Sequence, residues 1–439
     1  MKNLKLFSEI KHFLILIFLF SLVLHPQNIL SQFANGADVG WLSQMEAQGY
    51  EFYNDEGIKK DCLEILQEHG INSLRFRVWV NPRNGWCGKK DVAYMTHRAN
   101  SMGFRVMLDF HLADSWADPG KQPIPAAWRS DSSNYLALAE HIYDHVHDVL
   151  DTLKSIGVTP KWVQIGNETN DGTLWETGRA SKQMSNFAAM INSGYNAVKA
   201  IDSTIQVIVQ LSNGHDKSMY RWMFDGLKNN GAKWDIIGMS VYPYWAHLPW
   251  ATDNERSLET MQDMIARYQT QVMVCETGYL YNEPTTAYNF LVDLIRKTKS
   301  VGGLGVFYWE PECYNWRGYN MGAWDPVTKK PTIALDAFQD TLNTAVTRTP
   351  NVPDDFAMSI YPNPFNPMTT IDYQLPISSN LSIVIYDVLG REVTRLAEGF
   401  QYAGHHNIIW SATNVTSGIY FCRIQAGSFE ETMKMILVE

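Results

Sequence analysis

The chain has 439 residues, with 36 Lys+Arg against 46 Asp+Glu and a formal charge of −10. Hydrophobic residues make up 45% and charged ones 19%, a balance that excludes a disordered chain and predicts two or three domains, or one large barrel with a smaller module. The acidic surplus excludes a nucleic-acid binder, because counterion release needs clustered Lys and Arg.

Lys2, Lys5 and Lys11 precede an apolar run over 13–24 that ends before His25-Pro26. A run of about 12 apolar residues is too short to span a bilayer unaided, so residues 1–31 are expected to be a secretory signal peptide, with a retained anchor as the alternative. From residue 32 short β-rich runs alternate with amphipathic segments. Strands are predicted at 37–40, 73–80, 104–110, 162–166, 206–210, 236–240, 272–275 and 304–309, and helices at 57–69, 134–156, 181–201, 258–268, 287–299 and 333–342. In 134–156 the apolar positions Leu138, Ile142, Val146, Val149 and Leu153 recur at three- and four-residue steps, the stripe of one buried helix face. Gly70, Gly103, Gly157 and Gly231 punctuate the returns from helix to strand. Eight strand–helix units over 32–346 predict an α/β fold, a (β/α)8 TIM barrel. A doubly wound sheet would show a Gly-rich phosphate turn after its first strand, and Asp38-Val-Gly-Trp41 is not one.

Residues 347–353, polar and ending in Pro353, read as a linker. Beyond it, 382–386, 407–410 and 418–424 are short alternating strands between Gly and Asn turns, so 354–439 is expected to form a small Ig-like β-sandwich. Fourteen of the 15 Trp precede residue 350, and flat aromatic faces are what a neutral sugar polymer stacks on. The five cysteines are widely scattered and form no CxxC pair, so no thiolate metal site is expected.

Residues closing the barrel strands face the active-site end of such a fold. They are Arg75 and Arg77, Asp109 and His111, Asn167 and Glu168, Tyr242, Glu276, and Trp309 with Glu310. Polar groups beside apolar strands are costly unless paired or functional. Glu168 and Glu276 end the fourth and seventh strands, positions from which two carboxyls converge on one sugar, as glycoside hydrolysis requires. The alternative is that each Glu only pairs with an Arg at the rim. Trp86, Trp116, Trp175, Trp245, Trp250, Trp309 and Trp316 lie in or beside strand-to-helix loops where pyranose rings could stack, and His215 is a further candidate for substrate contact.

The runs Gly36-Ala-Asp-Val39, Asn72-Ser-Leu-Arg-Phe-Arg-Val-Trp-Val-Asn-Pro82 and Leu108-Asp-Phe-His-Leu-Ala-Asp-Ser-Trp-Ala-Asp-Pro-Gly-Lys-Gln122 resemble the endo-β-1,4-galactanases of glycoside hydrolase family 53. The resemblance covers 36–342 and implies a retaining enzyme acting on β-1,4-galactan, a pectin side chain, without a cofactor. It implies Glu168 as general acid/base, Glu276 as nucleophile and Asn167 as the partner of the 2-hydroxyl of the sugar undergoing cleavage. Arg77, Asp109 and His111 would hold that network, with Arg77 lowering the pKa of the nucleophile. Trp116, Tyr242 and Trp309 would meet substrate, Trp309 as the floor of the site. Glu276-Thr-Gly-Tyr-Leu-Tyr-Asn-Glu283 runs directly into Pro284 without the Asp-rich loop that binds calcium in some family members, so no calcium is expected there.

The tail, with Tyr361-Pro-Asn-Pro-Phe-Asn-Pro367, Val384-Ile-Tyr-Asp-Val-Leu-Gly-Arg-Glu392 and Met433-Lys-Met-Ile-Leu-Val-Glu439, resembles the C-terminal sorting domain of type IX secretion cargo. It implies export across an outer membrane to the medium or the cell surface, with the secretion machinery as partner. A carbohydrate-binding sandwich is the rival reading of the tail. For the barrel the rivals are a mannanase, cellulase or xylanase, or a non-catalytic glycan-binding protein. A monomer is expected.

Overall fold

The computed structural model describes residues 33–340, 356–375, 379–401, 404–427 and 429–438. The expected signal peptide and linker lie outside these residues. The rest form two compact units.

In the first unit eight parallel strands close on themselves: β1 (Ala34–Asp38), β2 (Ser73–Val78), β3 (Arg105–Phe110), β4 (Trp162–Ile165), β5 (Gln206–Leu211), β6 (Ile236–Val241), β7 (Gln271–Thr277) and β8 (Gly305–Trp309). Each strand pairs with its neighbours in sequence, and β1 pairs with β8 to seal the barrel. Helices α1 (Cys62–Glu68), α2 (Lys89–Ser101), α3 (Tyr135–Ser155), α4 (Ala180–Ile201), α5 (Lys217–Asn229), α6 (Trp250–Tyr268), α7 (Pro284–Ser300) and α8 (Ala337–Asp340) follow the strands in order. The (β/α)8 expectation holds.

Local chemistry sets the helix ends. Helix α3 starts where the Asn134 side chain accepts from Leu136 N and Ala137 N, and its predicted stripe is buried. Helix α1 begins at 62 rather than 57, because Asp61 caps Leu63 N while Lys59–Lys60 pairs with Phe52–Tyr53 as a small ribbon. Helix α6 starts eight residues earlier than its predicted start at 258, immediately after Pro249, so Trp250 opens a helix instead of lying in a loop.

Strand alternation divides the barrel interior into two levels. Met107, Trp162, Ile208, Ile236, Met273 and Phe307 fill the lower level. Inward positions nearer the strand C-termini include the polar Arg75, Asp109, Gln164, Gln210 and Ser240, all buried. Outward-facing Leu74, Phe76, Leu108, Val163 and Val209 pack in the core beneath the helices. Each such fully buried aliphatic or aromatic side chain is worth about 1.5–3 kcal/mol. All five cysteines are buried, and none forms a disulfide.

The second unit has two antiparallel sheets, as expected of a small β-sandwich. One contains β9 (Ala357–Tyr361), β10 (Met368–Leu375) and β13 (Gly404–Ser411) in the order β9-β10-β13. The other contains β11 (Ser379–Asp387), β12 (Glu392–Gln401), β14 (Gly418–Ala426) and β15 (Phe429–Leu437) in the order β12-β11-β14-β15. Ile371, Leu375, Ile385, Cys422, Ile424 and Met435 form its core together with Trp410. The one Trp that a carbohydrate-binding tail could have displayed is therefore a core residue.

Candidate active site

Arg75, on β2, sits at the centre of the polar level. Its Nη1 donates to Asp38 Oδ2 at 2.6 Å, and its Nη2 lies 2.6 Å from Glu276 Oε1 and 2.9 Å from Asp109 Oδ2. The same Nη2 reaches Gln164 Oε1 at 3.1 Å and Asn167 Oδ1 at 3.2 Å. One buried cation thus gathers three carboxylates from three strands. Burial of such a group is tolerable only with this degree of compensation.

Glu276 arrives there through a bulge. On β7, Val272 and Val274 face outward into the helix-covered core while Met273 and Cys275 face the barrel interior. Strict alternation would send Glu276 outward. Val274 pairs with Met239 of β6, but Glu276 pairs with the next residue, Ser240, so Cys275 is the extra residue and Glu276 turns inward.

Glu168 follows β4 by a turn and adopts φ +43°, the left-handed region that non-glycine residues rarely occupy. Gln210, on β5, ties the two acids together. Its Oε1 accepts from Glu168 N at 3.0 Å, and its Nε2 donates to Glu276 Oε1 at 3.2 Å and to Ser240 Oγ at 2.9 Å. Burial pushes Glu168 up to about 8, reinforced by the negative charge of Glu276 and opposed by the Ser240 hydroxyl and Arg75. Burial also raises Glu276, but the Arg75 guanidinium in contact with it works in the opposite direction. Of the pair, Glu276 is the one with a cation in contact, which favours its charged form, and Glu168 is the one whose protonated form burial and the neighbouring charge favour.

The other sequence-predicted residues divide into two groups. Asn167 lies in the network, its Nδ2 donating to Ala117 O at 3.0 Å, and Gln164 Nε2 donates to Asp109 Oδ1 at 2.7 Å. His111 Nδ1 accepts from Ala117 N at 3.2 Å, leaving Nε2 toward Asp109 Oδ2 at 2.9 Å. Tyr242 lines a cavity of about 280 Å³ together with Glu168, Ser212, His215 and Trp245. Trp309, half-buried, meets Trp41 at 5.1 Å and Trp116 at 5.9 Å between ring centroids.

Arg77 is the correction. It is 1% exposed and pairs with Glu310 Oε1 at 2.5 Å, and its guanidinium lies 4.6 Å from the Trp116 ring and 5.1 Å from that of Trp41. The cation on Glu276 is Arg75, and Arg77 supports an aromatic box next to it. Trp316, also considered a platform, is buried. Sequence reasoning overlooked Gln164 and Gln210, although Gln164 is the lone polar residue of β4 and Gln210 follows a run of three apolar residues in β5.

Among the described residues, Glu310, Glu312 and Cys313 have ligand atoms within 4.8 Å of one another. Burial and the charge of Glu310 push Glu312 well above the usual carboxylate range, and Arg77 already balances Glu310. A neutral acid and an existing ion pair make a poor cation site.

The model of glycosyl hydrolase family 53 matches residues 34–338. The chain belongs to that family. As a family 53 glycoside hydrolase it also carries, at 359–439, a match to a secretion-system C-terminal sorting domain, which marks it for export. An arabinogalactan endo-β-1,4-galactanase of Cellvibrio japonicus is 33% identical over 311 residues, 63% of this chain and 79% of that protein. A probable arabinogalactan endo-β-1,4-galactanase A of Neosartorya fischeri is 31% identical over 325 residues, 68% of this chain and 89% of that protein. Among solved structures, the family 53 catalytic domain of Ignisphaera aggregans superposes with a TM-score of 0.64 at 27% identity, over 72% of this hydrolase and 97% of that chain. No helix among the described residues is long and apolar enough to cross a membrane.

Proposed function

We propose that this hydrolase cleaves internal β-1,4-galactosidic bonds of galactan with retention, by double displacement on two glutamates. The observation that carries this reading is the difference between the two carboxyls: Glu276 in contact with Arg75, and Glu168 pushed up to about 8. In the first step Glu276 attacks the anomeric carbon while Glu168 gives its proton to the leaving oxygen. Forming the glycosyl ester removes the negative charge of Glu276, so the pKa of Glu168 falls and its carboxylate can take a proton from the incoming water. Asn167, beside the nucleophile, would hydrogen-bond the 2-hydroxyl of the sugar undergoing cleavage, and Trp309 would form the floor beneath that ring. Asp109 and His111 hold Arg75 and the 112–117 loop in place. The galactan assignment draws on the activities for which the relatives are named.

The exported form would act as a monomer on polysaccharide outside the cell, with 354–439 engaging the type IX machinery. A panel of galactan, mannan, cellulose and xylan, read by reducing-end release, tests the substrate, and the anomer formed first, read by proton NMR, tests retention. Release from galactan alone, with the β-anomer appearing first, is the expected result. Preferred release from another glycan would reassign the substrate, and a first-formed α-anomer would reject double displacement.

A further inference from the structure

The cavity beside Glu168 is lined by Tyr242, Ser212, Asn213, His215, Trp245 and Pro119, whereas Glu276 is not part of its wall. The carboxyl read as the acid that protonates the leaving oxygen faces this space, and the one read as the nucleophile does not line it. A group leaving toward Glu168 therefore passes into it. At about 280 Å³ it lies just below the ~300–1,000 Å³ range of ligand sites.

His215 is built into that wall from beneath. Its Nδ1 lies 2.9 Å from Oδ1 of Asp253, a fully buried carboxylate in the first turn of α6. That contact places the ring proton on Nδ1 and leaves Nε2 to accept from a hydroxyl. No hydrogen bond to His215 Nε2 is found among the described residues. The loop carrying His215 is fixed on both sides. Asn170 Nδ2 donates to Ser212 Oγ at 2.6 Å, and Ser212 N donates back to Asn170 Oδ1 at 2.8 Å. A Cβ on Gly214 would come within 2.9 Å of Val241 Cγ2 and 3.0 Å of Ser257 Oγ, so the backbone lies flat against β6 and α6. In the same wall, Trp245 is 53% exposed and rests against Tyr242 with ring centroids 4.4 Å apart. A partly exposed indole in one cavity with a positioned acceptor is an arrangement suited to one sugar ring.

The geometry points to His215, oriented by Asp253 and sharing its cavity with Trp245, as the site that recognises the sugar on the leaving-group side of the bond being cleaved. This rests on the galactanase reading, in which the leaving group is the 4-hydroxyl of a galactose. That oxygen is axial, whereas in gluco-, manno- and xylo-configured chains it is equatorial, so the leaving ring is presented at a different angle. A rigidly held acceptor and an aromatic platform in one small cavity discriminate between these approaches.

The test compares two substrates. One is galactan, and the other is an aryl β-galactobioside, whose leaving group carries no hydroxyls. In His215→Ala the ratio of kcat/KM on galactan to kcat/KM on the aryl substrate should fall by about 10- to 100-fold, the size expected from one lost hydrogen bond in a desolvated site. His215→Gln, which fills the space and can still meet a hydroxyl, should recover part of the ratio; it also serves if the alanine variant fails to fold. An unchanged ratio, whether both activities fall together or neither does, overturns the proposal and leaves His215 as a partner for Asp253. If the wild-type protein releases nothing from galactan, the galactanase reading fails, and the leaving-group assignment fails with it.

Discussion

Arg75 and Arg77 are two residues apart on one strand, both inward and both buried, yet they do different work. Arg75 holds the carboxylate that must be ionised, and Arg77 holds Glu310 under the tryptophans. Replacing Arg75 by Lys keeps a charge but loses the fork that spans Asp38 and Glu276. Turnover should fall by about 10²-fold or more. With less attraction the Glu276 pKa rises, so the acid limb of kcat/KM should move to higher pH. Arg77→Lys should leave that limb in place and lower thermal stability instead, and parallel pH–rate profiles with melting curves separate the two. Glu168→Gln removes the acid, so hydrolysis of galactan should fall by orders of magnitude while the first step on an activated aryl galactoside is largely spared; equal loss on both would remove Glu168 from the acid role. The same variant tests the cost of burying this carboxyl. With a folded pKa of about 8 against an ordinary value of 4.5, the unfolded chain loses its proton first, so this group destabilises the fold as pH rises from the lower value to the higher. Glu168→Gln should therefore be more stable than wild type at pH 8–9, by about 1–2 kcal/mol after screening at a half-buried site, with little difference at pH 4. Calorimetry at the two pH values reads this directly.

At the scale of elements, the bulge in β7 decides whether the site exists. Cys275 is the extra residue, so Glu276 takes the inward register position beside Ser240 that strict alternation would deny it. Gly238, on the neighbouring strand β6, makes room for it. A Cβ there would come within 2.9 Å of Cys275 Sγ, 2.8 Å of Ile208 Cγ2 and 3.0 Å of Gln210 Cβ. Gly238→Ala should cost about 1–3 kcal/mol through overpacking. Because the intrusion presses on both the bulge and the glutamine that bridges the acids, kcat should fall more than KM changes. Steady-state kinetics with a denaturant titration checks both, and a stability loss with intact kcat would show that the bulge tolerates the intrusion.

For the whole molecule, the barrel and the β-unit each have their own core. A chain ending near Thr347 should keep full hydrolysis of soluble galactan, because every residue of the acid network precedes 340. Failure of the shortened chain to fold would refute the domain boundary. Loss of activity in a folded one would require a catalytic contribution from the tail.

Much of the fold was legible from periodicity. Eight apolar runs alternating with amphipathic stretches point to a parallel sheet, the missing Gly-rich turn after the first strand favours its closed form, and the polar residues that end those runs mark the rim. Glu168 and Glu276 stand out because a carboxyl next to an apolar strand needs a reason. The sequence alone could not say which arginine meets which acid, since Arg75 and Arg77 have the same parity and differ only in height. Height acquires meaning when β1 closes on β8 and brings Asp38 and Glu310 alongside. Nor could it place Glu276, whose parity with Val272 and Val274 points the wrong way until pairing with β6 absorbs Cys275. Local pattern thus determined the architecture and the candidate acids, because burial of apolar faces repeats along the chain. The partnerships that set their protonation were decided by closure of the barrel, because electrostatics depends on distances between residues far apart in sequence.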